Sequence, residues 1–445
     1  MNILIFGATD AGYMVASHLC QEHNVTVVDR VERIPEAFNL LDLQFIQGSA
    51  VDIETLEQAA TEKADLIISC SENDEANIVA CWTVKKISQG ETICFVSSEG
   101  LFKSLNAEIA GNNKEIYGID TLIWPEQLAT MDIFRVIMVP EAIDVEYFAG
   151  GKVKLFEYRI KEAGSICGRR VQECGFPENV LMVCVNRDHE LLIPDGSMVI
   201  EAGDRVTFMG TAQGIDTLAA RIFKDKLPVK NVAIIGGGNV GYMLAKELEQ
   251  TDIRVKLIEL ESDRCSDIAE KLPRTLILNG DGTDISLLEE EAFGRANVTV
   301  CVTNNDEKNL LCSLLAKQLG SEKVIARVSN RKNFELFERV GIDVVVSPME
   351  SAFKVLLDRL QSEDVDLLGL VEGGKGEILR LTLPQEFSPT PISELAFPVK
   401  AVIAVIKRGS RVVVPHGSSR IRGGDRLIIF TMAEDAATIK KLLIP

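Results

Sequence analysis

The chain has 445 residues, 46% of them hydrophobic, enough material for several cores, and at roughly 150 residues per domain the length alone suggests about three. Its 66 acidic residues against 47 basic ones give a formal net charge of −19, so the surface repels polyanions and nucleic acid is not an expected partner. Apolar runs are strand-sized, as in Ala401 to Ile406, and the N-terminus passes into a buried strand without a leader pattern, which predicts a chain that carries no signal peptide and no transmembrane segment of its own.

The first predicted element is a strand, Asn2-Ile3-Leu4-Ile5-Phe6, running into the turn Gly7-Ala8-Thr9-Asp10-Ala11-Gly12 and then a helix. A second strand, Val25 to Asp29, ends on an acid. Beyond it come a turn with Ser49, Ala50 and Val51, then a strand from Asp65 to Cys70 followed by Ser71 and Glu72. The unit closes on Leu122-Ile123-Trp124-Pro125-Glu126, where proline breaks the last strand and starts a helix that runs through Arg135. A smaller alternating segment follows: strands Val153 to Ile160, Val180 to Val185 and Val206 to Met209, a short helix near Ile166 to Cys174, and turns at Arg187-Asp188 and Gly203-Asp204-Arg205.

The second half repeats this order. Asn231 to Ile235 is again a strand, followed by Gly236-Gly237-Gly238-Asn239-Val240-Gly241, a helix, and the strand Val255 to Glu259. Gly236 aligns with Gly7 at an offset of 229, and Thr303 with Ser71 at an offset of 232, so the chain is an internal duplication. Here every part of a dinucleotide fingerprint is in place. Gly236 permits the tight turn, Gly238 a close backbone approach to a pyrophosphate, and Gly241 close helix-to-strand packing. The helix N-terminus offers unpaired N–H groups to phosphates. Glu259, 21 residues beyond Gly238, suits an adenosine ribose and disfavours a 2′-phosphate, which points to NAD rather than NADP.

Gly280-Asp281-Gly282-Thr283-Asp284 matches the Ser49 turn, and Thr303, Asn304 and Asn305 put small polar groups at the carboxyl edge of the sheet while also capping a helix begun by Asp306 and Glu307. Arg327 ends the next strand. The unit closes on Val345-Val346-Ser347-Pro348-Met349 and a helical run through Leu360, and a second small segment contains Val402 to Ile406, Arg408-Gly409, Gly424-Asp425-Arg426 and Leu427 to Phe430.

These patterns predict an α/β protein: two Rossmann-like, doubly wound parallel-sheet domains, each followed by a crossover helix and a small α/β lobe. The expected divisions are residues 1–130, first nucleotide lobe; 131–149, crossover helix and linker; 150–224, first small lobe; 228–348, second nucleotide lobe; 349–372, crossover helix and linker; and 373–445, second small lobe. The apolar crossover helices, with Ile133, Phe134, Val136 and Ile137 or Phe353, Val355, Leu356 and Leu357, are expected to form a contact between copies.

The halves differ at three positions. Thr9 replaces the middle glycine, Ser49 replaces Asp281 and Phe95 replaces Arg327. A side chain at position 9 is expected to crowd a pyrophosphate and to remove the freedom for positive φ, so the first site is expected to bind more weakly or to take a smaller ligand, with Asp29 kept as a ribose contact. The predicted contacts are therefore Gly236, Gly237, Gly238, Asn239, Val240, Gly241, Glu259, Asp281, Gly282, Thr303, Asn304 and Arg327 in the second half. In the first half they are Gly7, Ala8, Thr9, Asp10, Ala11, Asp29, Ala50, Val51, Ser71 and Glu72.

Ten cysteines without a Cys-x-x-Cys pair read as reduced core residues of a cytosolic protein, and the four histidines, His18, His23, His189 and His416, show no metal-ligand spacing. No metal site and no catalytic residue is predicted. An NAD-dependent oxidoreductase acting on a small soluble substrate is the alternative reading, but hydride transfer needs an acid or base beside the nicotinamide, and no histidine here stands near a convincing carboxylate.

A duplicated unit of dinucleotide domain, proline-started helix and small lobe resembles the TrkA family, the peripheral cytosolic subunits of Trk potassium-uptake systems. The matches that carry the resemblance are Gly236 to Gly241, Lys256-Leu257-Ile258-Glu259, Gly280 to Asp284, Thr303 to Glu307, and Trp124-Pro125-Glu126-Gln127-Leu128, and it covers essentially the whole chain. The resemblance implies tandem RCK domains and a non-catalytic regulator. NAD(H) or ATP/ADP would bind its lobes, and a homotetrameric ring would dock on an integral membrane potassium channel or transporter subunit at the cytoplasmic face of the membrane.

Overall fold

The structure is a computed structural model that describes residues 1–21, 23–107, 113–139, 142–162, 164–188, 190–223, 228–359, 365–371, 374–395, 397–409 and 411–443. His189 and Leu360, both named in the sequence reading, lie outside these residues. The chain divides into two compact units, Met1–Ala129 with Ser347–Val355, and Thr130–Val346 with Leu356–Pro445.

The first unit holds the strands β1 (Asn2–Phe6), β2 (Asn24–Asp29), β3 (Gln44–Gln47), β4 (Leu66–Ser69), β5 (Glu91–Phe95) and β6 (Thr121–Ile123). They form one parallel sheet in the order β3-β2-β1-β4-β5-β6. Helices α1 (Asp10–Leu19), α2 (Ile53–Gln58), α3 (Asp74–Val84), α4 (Glu99–Asn106) and α5 (Asn113–Ile116) connect them, and α6 (Pro125–Met138) begins after β6. Every residue of β4 and all but the first of β1 are buried, as a parallel sheet covered on both faces requires, and that is why these strands read as continuous apolar runs.

The second unit repeats that sheet with β12 (Asn231–Ile235), β13 (Arg254–Glu259), β14 (Leu276–Asn279), β15 (Val298–Cys301), β16 (Lys323–Arg327) and β17 (Val344–Val346). Its order, β14-β13-β12-β15-β16-β17, is the same. The connecting helices are α8 (Asn239–Leu248), α9 (Ser262–Lys271), α10 (Ile285–Glu290), α11 (Asp306–Leu319) and α12 (Arg331–Arg339), with α13 (Pro348–Arg359) closing the repeat. The unit also contains both small lobes. One is an antiparallel sheet of β7 (Ala142–Phe148), β8 (Val153–Arg159), β9 (Val180–Arg187), β10 (Glu190–Leu192) and β11 (Arg205–Thr211), with α7 (Ala212–Ile222). The other has β18 (Val365–Val371), β19 (Gly376–Thr382), β20 (Thr390–Pro391), β21 (Ala401–Arg408), β22 (Arg411–Val413), β23 (Arg420–Ile421), β24 (Arg426–Met432) and α14 (Ala436–Leu443). The orders β10-β9-β11-β8-β7 and β22-β21-β24-β19-β18 match strand for strand. One apolar core is shared by both sheets and includes Val153, Leu155, Val183 and Met209 of the first and Ile378, Val405, Ile428 and Phe430 of the second.

Three expectations are corrected. The apolar side of each crossover helix is already buried within its own chain: Ile133, Val136 and Ile137 are at most 3% exposed, and Phe353, Leu356 and Leu357 at most 4%. Their partners are intramolecular. The Lys323 ammonium donates to the carbonyls of Val136 near the end of α6 and of Ala142 at the start of β7, and the Phe353 ring lies 4.4 Å from that of His18. These six side chains are therefore covered within the chain, while Phe134 and Val355 of the same helices are half-buried. The helix expected near Ile166 to Cys174 is only a 3₁₀ turn at Val171–Glu173. Its backbone is committed elsewhere, since Gly168 and Val171 donate to Ile200 and Met198, and Ile200 donates back to Arg169. Finally, β7 and β18 occupy stretches read as linker. Both are edge strands, and the half-buried alternation of Ala142-Ile143-Asp144-Val145-Glu146 carries a weak apolar signal.

Candidate functional site

The second crevice is built from the turns that follow β12, β13, β14, β15 and β16. Gly236 sits at φ +109, and a Cβ there would lie 2.9 Å from the Thr303 nitrogen. At Gly241 a Cβ would lie 1.9 Å from the Gly236 carbonyl oxygen, so α8 can approach the turn only without a side chain. Gly238 behaves differently. It is the N-cap of α8 in extended geometry, φ −62° and ψ −168°, no side chain caps that helix, and a Cβ would meet nothing within 4 Å. Positive φ therefore belongs to the first glycine of the turn, Gly7 at +123° and Gly236 at +109°, and not to the middle position, which corrects one reason given for the handicap of Thr9. What Gly238 preserves is open space above a helix N-terminus.

Around that space stand most of the predicted residues. The Glu259 carboxylate accepts from the N–H of Gly237 at 2.7 Å and of Glu261 at 2.9 Å, which fixes it at the mouth of the turn. Asp281 accepts from the Thr283 N–H at 2.9 Å and hydroxyl at 2.8 Å, and these two bonds hold its carboxyl below the usual range. Gly282 lies against β12, where a Cβ would meet the Ile235 side chain at 2.2 Å. Thr303 is held by Asn309, and Asn304 accepts from the Arg327 guanidinium at 2.8 Å. Asn305 caps α11 by accepting from Lys308 N–H, as expected, with Asp306 and Glu307 in the first turn. Asn239 is exposed at the crevice, whereas the Val240 side chain is turned into the core, so only its backbone faces the site.

The first crevice keeps the frame and loses the space. Ala8 N–H and Val31 N–H donate to Asp29 at 2.6 and 3.0 Å, reproducing the Glu259 arrangement. Thr9 caps α1: its hydroxyl donates to the Cys70 carbonyl at 2.8 Å and accepts from Gly12 N–H at 3.2 Å, satisfying a group that is left open in α8. Ser49 accepts from Arg30 at 2.8 Å, Ser71 is held by Asn77, and Phe95 is buried. Asp10, Val51 and Glu72 are exposed, and Ala11 and Ala50 half-buried, around the same edge.

Sequence reading missed the roles of four residues that hold these sites together, Asp306 being legible only as a helix start. Asn309 and Asn77 each accept from the loop after the central strand and donate to the end of the next strand, at Arg327 and Phe95. Asp306 and Asp74 accept from Ser329 and Asn330, and from Ser97 and Ser98. All recur at the offset of 232 already visible for Thr303 and Ser71, and that recurrence was the available signal. A fifth missed residue, Arg264 of α9, donates to the Gly237 carbonyl at 2.9 Å and lies over the Tyr242 ring. Nothing in the sequence pattern marks it. All ten cysteines are free thiols and eight are buried; among the described residues no group of three or more His, Cys, Asp or Glu converges as a metal site.

Fold and crevices together define a tandem pair of Rossmann-like domains, each bearing a small antiparallel lobe, with the ligand-type edge on the nucleotide lobes. The TrkA-N domain model matches residues 3–112 and 232–348, and the TrkA-C domain model residues 155–222 and 379–444. The chain is 34% identical to the Trk system potassium uptake protein TrkA homolog 2 of Methanosarcina mazei, over 99% of this chain and 100% of the relative. It is 30% identical to Trk system potassium uptake protein TrkA of Haemophilus influenzae, over 100% of this chain and 99% of the relative. It belongs to the TrkA family. In fold it is similar to the GsuK RCK domain, with a TM-score of 0.62 at 21% identity over 99% of this chain and 94% of that one. The GsuK channel bound to NAD gives 0.61 at 20% identity, over 99% and 78%. Among the described residues no helix is long and apolar enough to cross a membrane.

Proposed function

We propose that this chain is the nucleotide-responsive regulatory subunit of a membrane potassium-uptake system, docked at the cytoplasmic face on an integral membrane channel or transporter subunit. Its second nucleotide lobe binds NAD(H), or ATP/ADP through the same phosphate and ribose contacts, and the first lobe binds more weakly. The observation that carries the reading is the open, uncapped N-terminus of α8 at Gly238 beside the fixed Glu259 carboxylate. The name borne by relatives along the whole length, Trk system potassium uptake protein, supports the transport context. The contacts proposed are those read from the sequence, with Arg264 added beside the adenosine end, and the domain divisions are retained except that each linker contributes an edge strand.

Self-association, as a homotetramer, is assigned to a different surface from the crossover helices. Val79 and Trp82 of α3 are each 47% exposed, and Leu311 and Leu314 of α11, at the repeat offset of 232, are 47% and 39% exposed. An apolar face repeated in both halves lets the first half of one copy meet the second half of the next and close a ring.

The test is purification of the full chain with a membrane fraction, followed by nucleotide-dependent potassium flux in vesicles. Retention of a potassium-transporting membrane subunit, with flux altered by NADH or ATP, is the expected result. Failure to retain such a subunit, or substrate-dependent NADH oxidation by the purified chain, overturns it.

A further inference from the structure

On the edge of the second nucleotide-lobe sheet opposite to its crevice is a cavity of about 110 Å³. It lies where the end of α6, the β7–β8 edge of the first small lobe and the starts of β15, β16 and β17 meet. Ile137, Val139, Val298 and Val344 line it with apolar surface. Its polar lining is mostly committed. Asn297 accepts from Lys230 and Asn231 N–H and donates to Glu322, Lys323 holds the Val136 and Ala142 carbonyls, and Asp343 pairs with Lys317 at 2.9 Å.

Arg159 is the exception. Its side chain, exposed at this cavity, has no hydrogen-bond or ion-pair partner among the described residues. It stands directly opposite Arg205 in the antiparallel register of β8 and β11, a like-charge pair that destabilises a sheet unless compensated. Arg205 is compensated. Glu157 lies 2.7 Å from it, Glu338 of α12 holds its other face, and all three side chains are at most 16% exposed. Those two carboxylates are used up on Arg205, which leaves the guanidinium of Arg159 without an ion pair among the described residues, with Lys161 at the same cavity.

We infer that this cavity is a second ligand site, for a small tetrahedral oxyanion of the phosphate class, with Arg159 as its bidentate anchor. A guanidinium and an oxyanion form paired, charge-assisted hydrogen bonds. The volume admits a group of that size and excludes a nucleotide, whose pockets start at about 300 Å³. The lining carries Arg159, Lys161 and Lys323 against the carboxylates of Glu322 and Asp343, the latter paired with Lys317, so on a chain of net charge −19 an anion is selected by contact with Arg159 and not by the field of the whole molecule. An occupant would bridge the first small lobe to the second nucleotide lobe at the point where α6 ends. The site is independent of what fills the crevices.

The experiment is calorimetric titration of the full chain with inorganic phosphate in saturating NAD, against sodium chloride of matched ionic strength. One saturable event is expected, weakened at least about tenfold in Arg159→Met and unchanged in Arg339→Met, an exposed arginine of α12 that does not line the cavity. Absence of a saturable event overturns the inference, and so does an event that survives unchanged in Arg159→Met. The same titration of Arg327→Met separates the two sites: binding lost there and kept in Arg159→Met would place the phosphate in the nucleotide crevice and also overturn the inference.

Discussion

Asn309 holds Thr303 from both sides: its Oδ1 accepts from the Thr303 N–H at 2.8 Å and hydroxyl at 2.7 Å, and its Nδ2 donates to the Thr303 carbonyl at 3.0 Å. The same Nδ2 donates to the Arg327 carbonyl, also at 3.0 Å, and the residue is fully buried. One amide thus sets the spacing of two loops that face the second crevice. Asn309→Ala leaves at least two backbone groups unpaired, at about 1–3 kcal/mol each. Chemical denaturation is expected to show a loss of that order, with weaker NAD binding. Wild-type stability in Asn309→Ala would refute the assignment.

Gly241→Ala is expected to be among the most damaging small substitutions in the chain. The added carbon would sit 1.9 Å from the Gly236 carbonyl oxygen, and that obstacle is backbone, which cannot swing aside. Relief requires α8 to move off the sheet, at a cost above about 3 kcal/mol, comparable to the larger core defects. Gly12→Ala meets the Gly7 carbonyl oxygen at 2.0 Å and should do the same to the first lobe. Thermal unfolding and soluble yield measure both. A shift of the transition smaller than a few degrees would show that the helix relocates easily.

The two small lobes share a staple with a buried carboxylate. Arg187 grips Asp204 through Nε at 2.8 Å and a terminal nitrogen at 2.7 Å, and Arg408 grips Asp425 at 2.7 and 2.8 Å. Asp204 and Asp425 are nearly inaccessible, and each also accepts a backbone N–H of its turn. The arginines are a quarter to a third exposed, so water screens the charge left behind and breaking one partner costs less than the roughly 3–5 kcal/mol of a fully buried pair, about 1–3 kcal/mol. Asp425→Asn should therefore destabilise the second small lobe by an amount of that order, read by hydrogen exchange in Ala401–Arg408 and Arg426–Met432. Unchanged protection there would contradict the assignment.

How far the sequence reached depended on the kind of signal. The parallel sheets were legible because strands covered on both faces are apolar throughout, as in Leu66–Ser69, and because glycine, acid and proline recur at a nearly constant offset. Edge strands β7 and β18 were not, since a half-exposed strand such as Ala142–Phe148 mixes charge with apolar residues. Val240 was named for its place in the glycine motif, but helical periodicity turns its side chain inward. The destination of α6 and α13 was beyond reach. An apolar helix face states that it must be covered, and nothing in its own residues tells whether the cover is another chain or a distant part of the same one.

The buried thiols give a pH prediction. Burial pushes Cys312, beneath the Gly282 carbonyl, up to about 12, and Cys70 likewise to about 12. A raised thiol holds its proton to higher pH, so at pH 8 only about one part in ten thousand is thiolate, against roughly a quarter for an ordinary cysteine. In folded protein at pH 8, Cys312 and Cys70 should resist iodoacetamide while the partly exposed Cys20 reacts, and all should react on unfolding. Mass-spectrometric mapping of the labelled cysteines decides it; rapid native labelling of Cys312 would mean that the second crevice opens to its floor.

The last prediction concerns the inequality of the two nucleotide sites. Gly238 leaves open space above an uncapped helix, whereas the Thr9 hydroxyl occupies the equivalent N-terminus and is bonded to Gly12 N–H and the Cys70 carbonyl. Arg327 offers a guanidinium where Phe95 offers a buried ring. A charged hydrogen bond contributes about 1.5–3 kcal/mol, so the sites should differ at least tenfold in dinucleotide affinity, the second being tighter. The full chain is the right sample, because Ser347–Val355 belongs to the same compact unit as Met1–Ala129 and cutting the halves apart would strip that cover. Gly238→Thr is the informative variant. Its Cβ meets nothing within 4 Å and its φ of −62° suits any residue, so the melting temperature without ligand should be unchanged while the tight binding event disappears. Thr9→Gly opens the first site but does not restore the missing arginine, and should recover only part of the difference. Calorimetry with NAD, NADH, ATP and ADP on these two variants measures the gap directly. Equal affinity at both sites in wild type would show that neither the open helix end nor Arg327 governs binding, and tight binding retained in Gly238→Thr would show that the open helix end does not.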